Sequence, residues 1–107
     1  MVFVELSPFI AFRKEYWHDE DLRALQNFLI ESPQAGDVIR GTGGLRKLRW
    51  ALPGSGKRGG SRVIYYHLRD LGSIYLIYAY SKSDQEDLTP NQARQLTQLM
   101  KGILDET

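Results

Sequence analysis

The distribution of glycine constrains the fold more than any other feature of this chain. Nine of its ten glycines lie between Gly36 and Gly72. Glycine destabilises a helix because it loses more backbone freedom on folding than any other residue. We therefore expect no helix in this middle third, which should hold strands and loops, with helices before and after it.

A strand and two short helices are predicted before the glycine-rich segment. Val2-Phe3-Val4 is β-branched and aromatic, which is typical of a strand. Ser7 followed by Pro8 predicts a helix with Ser7 as its N-cap, and Asp19 is expected to cap a second helix that ends before Pro33. Apolar residues at helical spacing predict the buried faces, which are Phe9, Phe12 and Tyr16 in the first helix and Leu22, Leu25, Phe28 and Leu29 in the second.

Three strands and a final helix are predicted from residue 45 onward. The strands cover residues 45–51, 62–68 and 74–80, and the last is so apolar that we expect it at the sheet centre. Residues 53–60 (PGSGKRGG) form a loop, and Thr89-Pro90-Asn91-Gln92 predicts a capped helix start. The apolar face of the final helix should contain Leu96, Leu99, Met100 and Ile103. The predicted order is β-α-α-β-β-β-α. This is a compact α+β domain over residues 1–107, in which an antiparallel sheet packs on an N-terminal helical hairpin and a C-terminal helix.

Basic residues are concentrated in the same middle third. The segment from Gly36 to Arg69 has one acidic residue, Asp37, and eight basic ones: Arg40, Arg46, Lys47, Arg49, Lys57, Arg58, Arg62 and Arg69. Each flank holds three basic and six acidic residues, so the net charge of +1 hides a strong internal asymmetry. This asymmetry favours a polyanionic partner, and the alternative is an ordinary solvated basic surface.

Composition narrows the class of protein. The chain has no cysteine, so disulfides, thiolate nucleophiles and cysteine-ligated metals are excluded. Charged residues and a proline interrupt the first fifteen residues, which argues against a secretory signal. The longest uncharged apolar run, residues 74–80, is far too short to span a membrane. We therefore expect a soluble cytoplasmic protein that does not bind membranes.

Several familiar motifs are excluded by their context. Residues 54–59 match G-x-G-x-x-G, but a strand follows them and no βαβ unit surrounds them, so a dinucleotide site is not expected. His18 and His67 show no metal-ligand spacing, and His67 is better explained as a partly buried sheet residue than as a catalytic one. The acidic residues Asp84, Glu86 and Asp87 precede a helix start, where the helix dipole favours negative charge. We expect no metal and no cofactor.

The remaining basic residues fit the cleavage of RNA by its own 2′-hydroxyl group. Lys57 and Arg58 lie on the glycine loop, Arg62 opens the next strand, and Tyr80 and Lys82 lie where the last strand ends. Cations at such a site would stabilise the pentacovalent phosphorane, and tyrosine in a positive field should ionise more easily. The same residues equally fit a protein that binds RNA without cleaving it. The aromatic residues Trp50, Tyr65 and Tyr66 could stack on bases or belong to the core.

Two sequence segments carry a family resemblance. Residues 36–47 (GDVIRGTGGLRK) and 56–66 (GKRGGSRVIYY) resemble the HigB-type branch of the RelE/ParE toxin superfamily, and residues 74–87 and the helix start at Leu88-Thr89 are also similar. The resemblance implies a small RelE-like fold and the toxin of a type II toxin–antitoxin pair. Such toxins cut mRNA in the ribosomal A site without a metal. A HigA-like helix-turn-helix antitoxin neutralises them, and the two proteins together bind operator DNA.

The resemblance also implies roles for individual residues. Lys57, Arg58 and Arg62 match phosphate-handling positions, and Tyr80 and Lys82 match a further catalytic corner. At that corner the superfamily commonly has Gly-Lys-Arg or Gly-Lys-Asn, whereas this chain has Ser81-Lys82-Ser83. Four further basic residues are expected to bind RNA or the ribosome, namely Arg40, Arg46, Lys47 and Arg49. The alternatives are a ParE-like inhibitor of DNA gyrase and a non-catalytic RNA-binding module.

Overall fold

The computed structural model describes residues 1–51 and 60–106, which form an α+β fold, as predicted. Its elements are β1 (Val2–Glu5), α1 (Ser7–Tyr16), α2 (Asp19–Glu31), β2 (Asp37–Val38), β3 (Arg46–Trp50), β4 (Ser61–Leu68), β5 (Ser73–Ser81) and α3 (Pro90–Glu106). A 3₁₀ turn at Arg69–Leu71 and Gly72, whose φ is +59°, connect β4 to β5. None of the helices in these ranges is long and apolar enough to cross a membrane.

The five strands form one sheet in the order β1-β5-β4-β3-β2. The strands from β2 to β5 pair antiparallel, as predicted, whereas β1 pairs parallel to β5 between Val2↔Ser73 and Glu5↔Leu76. The sheet is therefore mixed. β5 is an interior strand, but the middle position belongs to β4. The two-residue strand β2, which was not predicted, forms one edge.

The sheet has a hydrophobic core on each side. We call one side the helix-pair face, where α1 and α2 supply Phe9, Trp17, Leu25 and Leu29 and the sheet supplies Leu48, Val63, Tyr65, Ile74, Leu76 and Ala79. We call the other side the α3 face, where α3 supplies Leu96 and Met100 and the remaining part of the chain supplies Leu45, Ile64, Tyr75, Ile77 and Tyr80. Successive strand residues point to opposite faces, so the chain divides its apolar residues between both sides.

A β-bulge in β5 changes this alternation. Ile64 pairs with Tyr78 and Tyr65 with Leu76, so Ile77 is an extra residue on β5. Ile77 and Tyr78 consequently both pack on the α3 face. In a regular strand Tyr80 would share a face with Ile74, which lies on the helix-pair face. The bulge instead places Tyr80 on the α3 face.

The helix starts differ from the predictions by one residue. Leu6, not Ser7, is the residue that flanks α1, and His18, not Asp19, is the one that flanks α2. The backbone N–H of His18 donates to Asp21 Oδ2 at 2.8 Å, which fixes the start of α2.

Three apolar residues predicted to be buried are exposed. Tyr16 keeps 57% of its surface in solvent, and Phe28 and Leu99 are exposed as well. Phe28 covers the outer part of the helix-pair face by packing its ring 5.3 Å from that of Trp50. The predicted apolar faces were therefore slightly too wide.

Candidate active site

A cleft with a volume of about 540 Å³ opens at the end of the sheet where β4 begins and β5 ends. In the described residues four cations, Lys47, Arg49, Arg62 and Lys82, share its walls with three carboxylates, Asp37, Glu86 and Asp87. The sequence analysis assigned only basic residues and Tyr80 to this site. The structure instead shows a cleft of mixed charge, because residues 82–87 lie next to the basic strands.

Arg49 and Arg62, which line the cleft, form a row with the buried Tyr80 on neighbouring strands. Arg49 of β3 lies opposite Arg62 of β4, and Arg62 lies opposite Tyr80 of β5. Adjacent strands are about 4.8 Å apart, so the row spans roughly 10 Å. Two arginines directly opposite each other repel, and this arrangement disfavours the fold unless an anion lies between them. The row therefore favours binding of an anionic group.

Arg62 lies deep in the site. Only 8% of its surface is exposed. Within residues 1–51 and 60–106, its one side-chain hydrogen bond is from Nη1 to the Ser61 carbonyl at a long 3.5 Å. Most of the guanidinium donors therefore have no protein partner among the described residues.

Lys47, Tyr80 and Asp87 meet at a single oxygen atom. Lys47 Nζ lies 2.9 Å from Asp87 Oδ1, and the Tyr80 hydroxyl donates to the same oxygen at 3.4 Å. The backbone N–H of Leu88 also donates to it, at 2.8 Å. The hydrogen bond from Lys47, and then the one from Leu88, lower the pKa of Asp87, which therefore remains a carboxylate.

The pKa of Tyr80 contradicts the prediction that it ionises easily. Burial is the main cause that raises this pKa, to about 12, and the charge of Asp87 adds to the effect. The positive charge of Arg62 opposes the rise but does not overcome it. Only 3% of Tyr80 is exposed. At neutral pH its hydroxyl is therefore protonated and acts as a hydrogen-bond donor.

The segment that carries Asp87 is held in place by glutamine side chains. Gln85 Nε2 donates to the Asp87 carbonyl at 2.8 Å and to Gln92 Oε1 at 2.9 Å. Gln92 Oε1 also accepts from the Thr89 backbone at 3.0 Å, and Thr89 Oγ1 accepts from the Gln92 backbone at 3.1 Å. This reciprocal pair confirms the predicted capping box. It fixes Asp87 relative to α3.

Two predicted RNA contacts lie outside the cleft. Arg46 belongs to the helix-pair face, and its Nη1 donates to the carbonyls of Gly36 at 2.7 Å and Gln34 at 3.1 Å. Arg40 is exposed beside Arg94 of α3, at a separate shallow cleft of about 390 Å³. The structure therefore groups Lys47 and Arg49 with the row but not Arg46 or Arg40.

Three further residues were predicted to belong to the site, namely Lys82, Lys57 and Arg58. Lys82 is exposed on the rim, and its backbone N–H donates to the Gly60 carbonyl at 3.4 Å. Lys57 and Arg58 lie in residues 52–59, outside the described residues.

Asp87 was attributed to the helix dipole and its contact with Lys47 was missed, because the two residues are forty positions apart and no local pattern connects them.

The aromatic residues divide between core and surface. Tyr65 is fully buried; its hydroxyl donates to the Pro33 carbonyl at 2.9 Å and accepts from the Gly36 N–H at 2.9 Å. Trp50 and Tyr66 are half-buried against the two cores. The explanation of Tyr65 as a core residue is thus confirmed.

The two histidines lie away from the cleft. His67 is half-buried near the far end of β4, and its Nδ1 is buried without a hydrogen-bond partner in the described part of the chain. Burial is the first cause that lowers its pKa, followed by the charges of Arg69 and Arg46. His18 is exposed. Across residues 1–51 and 60–106, no three His, Asp or Glu side chains are grouped as a metal site would require.

Comparisons with known proteins agree with this fold. A family described as the RelE toxin of the RelE/RelB toxin–antitoxin system matches residues 13–107. A structure of free Escherichia coli toxin RelE, with two arginines replaced by alanine, is similar with a TM-score of 0.57 at 18% identity, covering 79% of this chain and 86% of that chain. The structural match shows a shared fold, and the family match extends over most of the sequence. The chain therefore belongs to the RelE toxin family, the toxins of toxin–antitoxin systems.

Proposed function

We propose that this toxin is a HigB-type endoribonuclease that cuts translated mRNA in the ribosomal A site and so inhibits translation and growth. The observation that carries the proposal is the row at the cleft, where Arg62 is nearly buried between Arg49 and Tyr80. Guanidinium groups bind phosphate oxygens through paired hydrogen bonds. A phosphate that enters the cleft meets two of them.

The proposed reaction is attack of a ribose 2′-oxygen on the adjacent phosphorus. A bond forms between phosphorus and O2′ while the bond to O5′ breaks, which leaves a 2′,3′-cyclic phosphate and a 5′-hydroxyl group. One proton leaves O2′ and another reaches O5′. Negative charge develops on the equatorial oxygens in the phosphorane, and Arg62 and Arg49 would stabilise it. No step in this scheme needs a metal.

The cleft divides the chemical roles between its residues. Arginine stays charged at all working pH values, so Arg49 and Arg62 can stabilise charge but cannot exchange protons. Tyr80, with its pKa of about 12, is suited to donate a hydrogen bond. Proton transfer would then fall to lysines, and we assign it to Lys82 at the rim together with Lys57 of the loop.

The sequence resemblance supports the remaining parts of the proposal. The run GKRGGSR places Lys57 and Arg58 among the residues that handle phosphate. Arg40 and Arg46 remain proposed contacts to RNA or the ribosome outside the cleft. We further propose a HigA-like helix-turn-helix antitoxin, operator binding only by the toxin–antitoxin complex, and action in the cytoplasm on translating ribosomes.

The proposal is tested by expressing the chain without an antitoxin. We expect growth arrest, with the 5′ ends of cellular mRNA mapping inside translated codons and disappearing when translation initiation is blocked. The matched control is the double variant Arg49→Ala/Arg62→Ala, which should be tolerated by the cells.

Other outcomes distinguish the alternatives. Arrest with intact messages and an induced DNA-damage response would contradict the proposal and support a gyrase inhibitor. Arrest with intact messages and stalled ribosomes would instead indicate a protein that binds RNA without cutting it.

A further inference from the structure

Asp87 is the least expected residue in the cleft. An RNA backbone is repelled by carboxylates, yet this carboxylate lies among four cations. It is also a poor source of stability, because 65% of its side chain and 34% of the Lys47 side chain are exposed. Ion pairs with that exposure contribute little to folding. A role in the cleft itself is the better explanation.

The hydrogen bonds of Asp87 join two strands that are not neighbours in the sheet. Lys47 on β3 and Tyr80 on β5 are separated by the whole of β4, so they cannot contact each other directly through the sheet. Asp87 Oδ1 accepts from both of them, at 2.9 Å and 3.4 Å. One carboxylate oxygen thus connects β3 and β5 across β4, the strand that carries Arg62.

Asp87 itself is held in place by two hydrogen bonds. Its carboxylate accepts from the next backbone N–H, at 2.8 Å, and its carbonyl accepts from Gln85 at 2.8 Å. Lysine is a flexible side chain with four rotatable bonds, and an unpaired Lys47 would sample many positions. Pairing with a fixed carboxylate holds its charge beside the row.

We propose that Asp87 is a positioning residue for RNA cleavage, which holds the Lys47 ammonium group and the Tyr80 hydroxyl together beside the phosphate site formed by Arg62 and Arg49. This inference rests on the proposed nuclease function. Asp87 itself does not contact the phosphate. Small displacements of groups that surround a reacting centre lower rates about 100-fold, so loss of this contact should be visible in kcat.

The test compares the full-length wild-type toxin with Asp87→Asn, Asp87→Glu and Asp84→Asn, using purified ribosomes programmed with a defined mRNA. Asparagine keeps the size and the acceptor oxygen but removes the charge. Asp84 belongs to the same acidic segment and lies outside the cleft, so Asp84→Asn is the matched control for net charge. We expect kcat to fall about 10- to 100-fold in Asp87→Asn, with KM within about twofold, partial recovery in Asp87→Glu and no change in Asp84→Asn.

A spectroscopic measurement separates positioning from a merely structural role. The negative charge of Asp87 raises the pKa of Tyr80. With ¹³C at the tyrosine Cζ, the Tyr80 signal should therefore begin to titrate at lower pH in Asp87→Asn than in wild type or Asp84→Asn. The Tyr80→Phe variant identifies the signal, and unchanged thermal unfolding shows that the variants fold.

The possible results are distinct. If the wild type cleaves and Asp87→Asn cleaves equally well, the positioning role is wrong and the proposed function survives. Faster cleavage or tighter binding by Asp87→Asn would also overturn it, since the carboxylate would then be competing with phosphate. If the wild type does not cleave, the proposed function fails and the positioning role fails with it.

Discussion

Arginine and tyrosine side chains make different hydrogen bonds on the two faces of the sheet. On the helix-pair face, Arg46 donates to two backbone carbonyls and the Tyr65 hydroxyl is bonded to backbone atoms on both sides. On the α3 face, Arg62 has one long hydrogen bond within the described ranges, and the Tyr80 hydroxyl donates to an exposed side chain. Each side chain on the helix-pair face is thus held by two short bonds to the backbone, of 2.7–3.1 Å, whereas the bonds of Arg62 and Tyr80 are long, at 3.5 Å and 3.4 Å. An arginine or tyrosine is therefore available for function on the α3 face and committed to structure on the other.

The test with the largest expected effect replaces Arg62 and Arg46 with alanine in two separate variants. Arg62→Ala should lower the cleavage rate by about 10²- to 10³-fold, which is typical for removal of one donor to developing charge. Arg46→Ala, at saturating ribosome concentration, should cleave bound mRNA within a few-fold of the wild-type rate and lose about 1 kcal/mol of unfolding free energy, because two carbonyls lose their donor. Single-turnover cleavage and urea unfolding measure the two effects.

Equal losses of activity in both variants would break the comparison. A further readout is binding to ribosomes, which should largely persist in Arg62→Ala because other phosphate contacts remain. If cleavage and binding fall together in that variant, Arg62 only anchors the RNA.

A second test uses the two tyrosines. Tyr65→Phe removes the partner of two backbone groups, the buried Gly36 N–H and the partly buried Pro33 carbonyl, and should lower the free energy of unfolding by about 1–3 kcal/mol. Tyr80→Phe removes a long hydrogen bond to an exposed carboxylate, and we expect a loss below about 1 kcal/mol with a reduced cleavage rate. Thermal unfolding and cleavage are measured on the same preparations. The reverse order of stabilities would show that the α3 face is the more rigidly determined one.

The smallest expected effect concerns His67, the exception on the helix-pair face. Its alternation with Tyr66 and Leu68 puts it on that face, where its Nδ1 lacks a partner in the described chain. Burial lowers its pKa, so the unfolded state binds a proton more readily than the folded state once the pH falls below about 6.5. Stability contributed by neutral His67 is therefore complete above that pH and is lost on acidification.

The measurement is the melting temperature between pH 7.5 and pH 5. It should fall less steeply in His67→Gln than in wild type, and cleavage at pH 7.5 should be the same in both. An equal acid dependence would show that His67 is solvated in the folded protein.

Local signals in the sequence predicted the elements well. Pro8, Pro33 and the Thr89–Gln92 capping box marked helix ends to within about two residues, and the glycines marked the region without helix. These signals work because each depends on neighbouring residues alone. The parallel pairing of β1 with β5 depends on residues some seventy positions apart, so no local pattern could reveal it.

The site was predicted less completely, for a related reason. In the sequence Arg46-Lys47-Leu48-Arg49-Trp50 both faces of the strand carry a basic residue, so alternation does not say which face is the cleft. Lys47 and Arg49 line the cleft with Arg62, but the sequence pattern could not separate Arg46 from them. The contact between Asp87 and Lys47 could not be predicted, because it joins residues that are forty positions apart.

The bulge at Ile77 divides β5 into two parts that have different neighbours. The residues before it pair with β1 on one side and β4 on the other, whereas those after it pair with β4 alone and lead to the end of the sheet where Tyr80 lies opposite Arg62. Evolution can consequently alter the distal part without disturbing the proximal one, because the extra residue absorbs the change in alternation. Such a bulge would let one scaffold vary the residues at the end of β5, where this chain has Ser81-Lys82-Ser83, while its core stays the same.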